Sequence, residues 1–285
     1  MRDQSAPVGP VFPVPYLPTL GPVHPAAVTA GLWEQVLANN GTGRFLAHDP
    51  ASRWGGTKNE LVLHEDAAPD GRSAGVAVLC RRRRAVTVYH YAAEIDSERE
   101  REAAAKLAAD HGAESARLLW LTPKAPPVQG QCRRIWMKTL SGSEPPPAEQ
   151  VQPLNTLPPA LRATWPDFAD ATAGEGFAAL EARRRNGPLD GPLLVVTVSG
   201  RIAGAIGPMA VLPDPVGRRR LLPQYFAVLP GHRGQGLGRA LWRAAMAWGA
   251  QAGADYQLLQ TELGGASDRL CEDEALQVIG FATAI

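Results

Sequence analysis

From Val228 to Gly238 the chain reads Val-Leu-Pro-Gly-His-Arg-Gly-Gln-Gly-Leu-Gly. Gly234, Gly236 and Gly238 remove side chains where a ligand must approach the backbone. Apolar residues then recur at Leu237, Ala240, Leu241, Ala244, Ala245 and Trp248, in steps of three and four that predict an amphipathic helix. The free N–H groups of its first turn would point back at the ligand and, with the helix dipole, make an anion site. Arg233 and Arg239 bracket the turn and can add charge-assisted hydrogen bonds. A phosphate or pyrophosphate is the expected occupant.

The elements that hold this turn read clearly. Leu193–Val198 and Ile202–Val211 are apolar runs joined by Ser199-Gly200-Arg201, a hairpin. Leu222–Val228 is a third strand leading into the glycines. Gly253 ends the long helix. Tyr256–Thr261 reads as a strand, Asp268 to about Gln277 as a helix and Phe281–Ile285 as a last short strand. The N-terminal half echoes this order. Ala85–Tyr91 is a strand, Ser97 with Glu100 fits a capping box, the helix runs through Asp110, Gly112 stops it and Arg117–Leu121 is a strand. Strand, helix, glycine and strand thus recur once, which suggests two lobes of related architecture. The first lacks the glycine-rich turn. The same order is also common in any α/β chain. The expected division is a Pro-rich surface lead over 1–25, an N-terminal α/β lobe over 26–145, a linker over 146–160 and a second domain over 161–285.

Composition bounds the function. The chain has 285 residues, 45% hydrophobic and 20% charged, a globular balance. Lys+Arg is 29 against Asp+Glu 28, so nothing in the net charge calls for nucleic acid or an acidic membrane. Arg outnumbers Lys heavily, with only Lys58, Lys106, Lys124 and Lys138, as a GC-rich genome gives. Cys80, Cys132 and Cys271 cannot close a disulfide set and show no metal-ligand spacing. The residues before Pro25 lack a signal-type apolar run, and no window approaches a membrane span. The expectation is a cytoplasmic, metal-free protein, monomeric or homodimeric.

Spacing sorts the anion-binding loops. A P-loop needs Lys and Ser or Thr after its last Gly, where Arg239 and Ala240 stand here. A dinucleotide fold needs G-x-G-x-x-G opening a repeated βαβ unit, whereas this G-x-G-x-G follows a hairpin. Val228-x-Pro230-x-x-Arg233-Gly234-x-Gly236-x-Gly238 resembles the acyl-CoA pyrophosphate loop of the GNAT acetyltransferases. Strands, loop, helix, Gly, strand, helix and Gly280-Phe281 follow in that family's order over roughly 160–285. The resemblance implies a mixed, mostly antiparallel α/β sheet flanked by helices. It also implies acetyl-CoA as acyl donor to a primary amine of a small molecule or peptide.

The resemblance also implies roles. The backbone of Phe226, Ala227 and Val228 would pair with the pantetheine arm, although Phe226 and Val228 also fit plain strand packing. The amides of Arg233, Gly234, Gln235, Gly236, Leu237, Gly238 and Arg239 would hold the pyrophosphate. An N–H near Ala227 or Val228 would stabilise the oxyanion. The family's usual thiolate acid is a Tyr on the last helix, and Cys271 stands there in one register. A protonated thiol can donate, or Cys271 is a small apolar packing residue. The other register, anchored on Gly280-Phe281, puts Leu276 there and leaves no acid. Ser267 would bond the pantetheine chain or help start the helix. Glu262 acting through a water is the base candidate, against an ordinary strand-end carboxylate. Tyr225 lines the pocket or packs. Asp268, Glu272, Asp273 and Glu274 crowd one short helix and read as a solvated face, or as favouring a cationic amine if they border a cleft. The alternative from another class is an acyl-CoA-binding sensor or partner without turnover. A further one is a scaffold role for the N-terminal lobe.

Overall fold

The computed structural model describes residues 12–67, 74–126, 131–142, 150–222 and 225–285. In chain order the main elements are β1 (Tyr16–Leu17), β2 (Gly21–Pro22), α1 (Ala30–Asn39), β3 (Glu60–Ala67), β4 (Ala74–Cys80), β5 (Ala85–Tyr91), α2 (Ser97–Asp110), β6 (Ser115–Thr122) and β7 (Gln131–Thr139). There follow β8 (Val151–Pro153), α3 (Pro159–Arg162), α4 (Trp165–Ala171), α5 (Phe177–Asn186), β9 (Leu194–Val198), β10 (Arg201–Gly207), β11 (Val211–Pro213), β12 (Arg219–Leu221) and β13 (Tyr225–Val228). The last are α6 (Leu237–Gln251), β14 (Tyr256–Glu262), α7 (Ala266–Asp273) and β15 (Gln277–Ala284). This is the expected mixed, mostly antiparallel α/β fold.

The chain forms two compact units, one of residues 1–138, 214–216 and 258–285, the other of 139–213 and 217–257. This differs from the expected cut. Residues 258–285 fold with the N-terminal half, and β14 runs from one unit into the other. Residues 146–149 of the expected linker lie outside the described residues. Its remainder is structural, because β8 pairs with β9 and Leu154 and Leu157 enter the second unit's core.

In the first unit the strand order is β14-β7-β15-β6-β5-β4-β3. β5 and β6 are parallel and paired throughout, from Ala85 with Ser115 to Tyr91 with Leu121. The connecting helix α2 starts at Asp96, whose Oδ1 accepts from the Arg99 amide at 3.2 Å. The expected cap was Ser97, one residue later. Asp caps as well as Ser, so composition alone did not separate them. Gly112 ends α2 at φ 62°, and the Ala113 amide donates back to Ala108 at 2.8 Å. Residues 1–11 of the Pro-rich lead lie outside the described residues. The rest is not laid on the surface: Val14, Leu17, Leu20 and Val23 are buried, and Leu17, Leu20 and Val23 pack with Leu32, Trp33, Val76 and Val78.

The second unit holds the predicted hairpin. Ser199 and Gly200 take φ 49° and 76°, which suits a tight turn between β9 and β10. Its core joins Trp165, Phe168, Phe177 and Leu180 of α4 and α5 to Leu193, Val195, Ile202, Ala205 and Ala227 of the sheet. A buried carboxylate, Glu181, ties this layer together. It accepts from Trp165 Nε1 at 2.7 Å, Arg184 Nε at 2.7 Å and Arg185 Nε at 2.8 Å. Burial opposes its charge, but these donors win and hold its pKa below the usual carboxylate value. α6 ends as α2 does, with Gly253 at φ 76° and the Ala254 amide donating to Gly249 at 2.8 Å.

Two expected elements change shape. The strand expected over 222–228 is β13 at 225–228, preceded by a separate β12 at 219–221, with 223–224 outside the described residues. The helix expected to reach Gln277 stops at Asp273, because Ala275 turns left-handed at φ 52° and β15 begins at Gln277.

Gly191 makes the tightest approach in the second unit: a Cβ there would lie 1.7 Å from the Met209 carbonyl oxygen. Backbone cannot yield as a side-chain tip can. Gly191→Ala is expected to lower stability by about 2–3 kcal/mol. Gly174→Ala, where a Cβ meets nothing within 4 Å, should stay within about 0.5 kcal/mol. Urea midpoints of the two variants check this.

Candidate functional site

The stretch Arg219–Val228 shares itself between two neighbours. Its first part, β12, pairs parallel with the start of β14, at Arg220 with Tyr256 and Leu221 with Gln257. Its second part, β13, pairs antiparallel with β10 and ends its sheet. Among the described residues no strand pairs with the far edge of β13. The ladder fixes which groups face it. The Leu229 amide donates to Ala203 at 2.9 Å, and the register sets Ala205 opposite Ala227 and Gly204 opposite Val228. By the alternation of an antiparallel pair, Ala227 spends its N–H and C=O on β10, while those of Phe226 and Val228 point to the far edge.

Side chains are divided between the two faces. Ala227 enters the core under α4 and α5. On the other face a Cβ on Gly238 would lie 3.4 Å from Phe226 Cζ and 3.8 Å from Val228 Cγ2, which puts the first turn of α6 over β13. Farther along, Leu241 packs on Gly204 and Leu221 packs on Gly249; a Cβ on either glycine would lie under 3.0 Å from the leucine. These close contacts seat α6 and so aim its N-terminus.

The loop between β13 and α6 presents backbone. Gly234 and Gly236 adopt φ 75° and 80°, and a Cβ on either would meet nothing within 4 Å. The first amide of the helix ladder, Ala240 N, donates to the Gly236 carbonyl at 3.0 Å. The N–H groups of Leu237 and Gly238 precede that ladder and have no helical acceptor. Arg233 departs from its expected role. Its amide closes a turn onto the Pro230 carbonyl at 3.3 Å. Its Nε donates to the Val228 carbonyl at 3.0 Å, and a terminal nitrogen reaches Glu175 Oε1 at 3.3 Å. Arg233 thus braces the loop against the end of β13. The Gln235 side chain likewise bonds back to the Gly231 carbonyl at 3.3 Å. The amide cradle then runs from Gly234 to Arg239.

The candidate reacting groups fall differently. Tyr225 lies in the second unit, and its ring packs on Phe177 at 5.8 Å between centroids and over Gly176. Glu262, Ser267 and Cys271 belong to the first unit. Glu262 ends β14 exposed, and Ser267 is an exposed residue inside α7, whose N-cap is Gly265. Cys271 is 2% exposed. Burial foremost, then the charge of Asp268, pushes its thiol up to about 12, against the pull of Arg134. Such a thiol gives its proton to a thiolate of pKa about 8.5 only uphill. Its burial fits the packing alternative for Cys271.

The acidic helix α7 is not simply a solvated face. Asp268 is 1% exposed and accepts from Thr261 Oγ1 at 2.7 Å, the Gly264 amide at 2.9 Å and Trp136 Nε1 at 3.2 Å, with Arg134 at 3.4 Å. Arg134 also pairs with Glu272. These bonds fix the turn from β14 into α7. Sequence reasoning missed this cluster. An Asp three residues before Cys271 on the same helical face was its one signal.

Residues 157–269 match the sequence model of the acetyltransferase (GNAT) family. The match covers less than half of the chain. Among curated proteins none matches the chain. Solved structures similar to it include a GCN5-related N-acetyltransferase from Sphaerobacter thermophilus, at 16% identity and TM-score 0.46 over 76% of this chain and 78% of that one. Another is a GCN5-related N-acetyltransferase from Kribbella flavida, at 15% identity and TM-score 0.42 over 78% and 88%. Among the described residues no group of His, Cys, Asp and Glu could hold a metal ion, and no helix is long and apolar enough to cross a membrane.

Burial makes a chemical prediction. Iodoacetamide at mildly alkaline pH should alkylate the half-buried Cys80 in the folded protein and spare Cys271 until denaturant is added. Peptide mass mapping reads the order, and equal rates at the two sites would refute the buried thiol.

Proposed function

We propose that the chain is an acyl-CoA-dependent N-acyltransferase that moves acetyl from acetyl-CoA to a primary amine of a small molecule or peptide by direct attack. The observation that carries this reading is the far edge of β13, paired with no strand among the described residues, running straight into an amide cradle at the start of α6. A polar, extended arm can add to that edge as a strand does, and a pyrophosphate suits the cradle and the helix dipole. Acetyl-CoA would supply an activated thioester.

The chain's residues then have separable tasks. Phe226 and Val228 offer backbone groups to the arm. The Val228 carbonyl is already bonded to Arg233, so the Val228 N–H is the donor left for a developing oxyanion. This narrows the choice between Ala227 and Val228, because the Ala227 N–H is used by the ladder. The exchange is neutral in protons, since the amine loses one and the leaving thiol gains one. The chain must therefore keep the amine uncharged and pass a proton on, rather than supply one. Glu262, exposed at the end of β14, remains our candidate base through a water. Ser267 is the candidate for a bond to the arm. Three free cysteines suit a cytoplasmic setting.

A second reading is favoured by one observation. With Cys271 buried and strongly protonated, and no carboxylate on β13, the chain could hold acyl-CoA as a sensor without turnover. Release of free thiol with an amine panel separates the two, because a sensor binds and releases none.

Thermal unfolding tests the shared step. Acetyl-CoA at about 100 times its dissociation constant should add roughly 2.7 kcal/mol, a shift of several degrees. Gly236→Val puts a β-branched residue at φ 80° and a side chain in the cradle. It should cost about 1–2 kcal/mol of unliganded stability and abolish the shift. No shift for the natural chain at millimolar acetyl-CoA would end the reading.

A further inference from the structure

The first unit contains a cavity of about 600 Å³ on one face of its sheet, lined by Tyr16, Trp54, Tyr89, Arg117, Gln131 and Arg133 among others. None of its lining residues belongs to the amide cradle. The strand register explains its shape. Arg117 on β6 stands opposite Thr87, and Arg133 on β7 stands opposite Ala282 of β15, the strand that separates β6 from β7. Ala282 is small and buried, so the floor between the two arginine-bearing strands stays low.

The charge there is one-sided. Arg82 and Arg83 also line the cavity, and Glu60 is its sole acidic lining residue. Glu60 already faces Lys58 Nζ at 3.6 Å. Among the described residues Arg117 and Arg133 have no carboxylate partner. Both act at one place: burial pushes the Tyr16 hydroxyl up, and Arg117 and then Arg133 pull it down. The walls beside them are aromatic, with the Tyr16 and Tyr89 rings 6.0 Å apart and Trp54 also lining the space. Concave, aromatic-walled cavities with a few convergent charges are where small ligands bind, and guanidinium groups suit planar or tetrahedral oxyanions.

We propose that this cavity binds a small organic anion, its carboxylate or phosphate held by Arg117 and Arg133 and its planar body against Tyr16, Tyr89 and Trp54. The site is independent of the acyltransferase reading.

Calorimetric titration of the full chain tests it, with benzoate and phenyl phosphate as probes and benzamide as the neutral control. At least one anion should bind saturably and benzamide should not, and the tighter anion identifies the headgroup. Arg117 and Arg133 are exposed, so Arg117→Gln and Arg133→Gln should fold normally. Each should weaken the anion by about ten- to a hundredfold. The acetyl-CoA shift should survive in both variants, which keeps this outcome separate from that of the cradle. Several results would overturn the proposal: no binding of either anion at millimolar concentration, equal binding of benzamide, unchanged affinity in both variants, or inorganic phosphate binding as tightly as phenyl phosphate.

Discussion

The chemistry of the second unit depends on how Arg219–Val228 divides its hydrogen bonds. Had β13 continued beside β14 as β12 does, every backbone group would be paired and no edge would remain. Instead, among the described residues, the pairing with β14 ends at Leu221 with Gln257, and β13 pairs with β10. An unpaired edge is normally a hazard, because it invites another chain. Here it is only four residues long, and it ends in a loop braced by Arg233. It is thus too short to template a sheet yet long enough for one extended ligand arm.

The rest of the second unit serves to hold that edge still. α6 can aim its N-terminus at the loop only if it lies close to the sheet, and Gly204 and Gly249 permit that closeness where Leu241 and Leu221 pack. On the opposite face α4 and α5 bury Ala227 and are locked together by Glu181. Glu181 shows how a neutral protein still uses charge. Its lowered pKa means that its stabilising effect is complete above the unfolded carboxylate pKa and fades as pH falls through the folded value. The carboxylate and its arginine donors lie within one helix turn of each other, so little chain entropy is needed to align them.

Much of this was legible from residue types alone, and the reasons for success and failure are physical. The hairpin β9–β10, the helix α6 and the glycine stops at 112 and 253 follow from local rules: strand-forming runs, 3.6-residue periodicity and the left-handed freedom of glycine. The glycine loop carried the strongest signal, because backbone exposure at fixed spacing leaves few alternatives. What failed was non-local. Leu17, Leu20 and Val23 recur every three residues among prolines, and nothing nearby says that a core from α1 and β4 covers them. The parting of β12 from β13 depends on partners some thirty residues away in sequence. Cys271 read equally well as a donor or as packing. Only the surroundings of Asp268 and Arg134, contributed by α7 and β7, bear on the choice.

The two strand–helix–strand passages show the same constraint from both sides. β5, α2 and β6 repeat the order of β13, α6 and β14, even to the glycine that caps each helix and the amide that folds back five residues. Yet β5 and β6 are paired along their full length, so no backbone edge is offered there, and α2 is preceded by Asp96 rather than by a glycine loop. A carboxylate at that helix start accepts from one first-turn amide, that of Arg99, and it would repel a pyrophosphate. Two independent features, a closed ladder and an anionic cap, thus set the first passage apart from the one proposed to take the ligand. The first unit still has a sheet face to present, and that face carries Arg117, Arg133 and two tyrosines rather than an apolar surface.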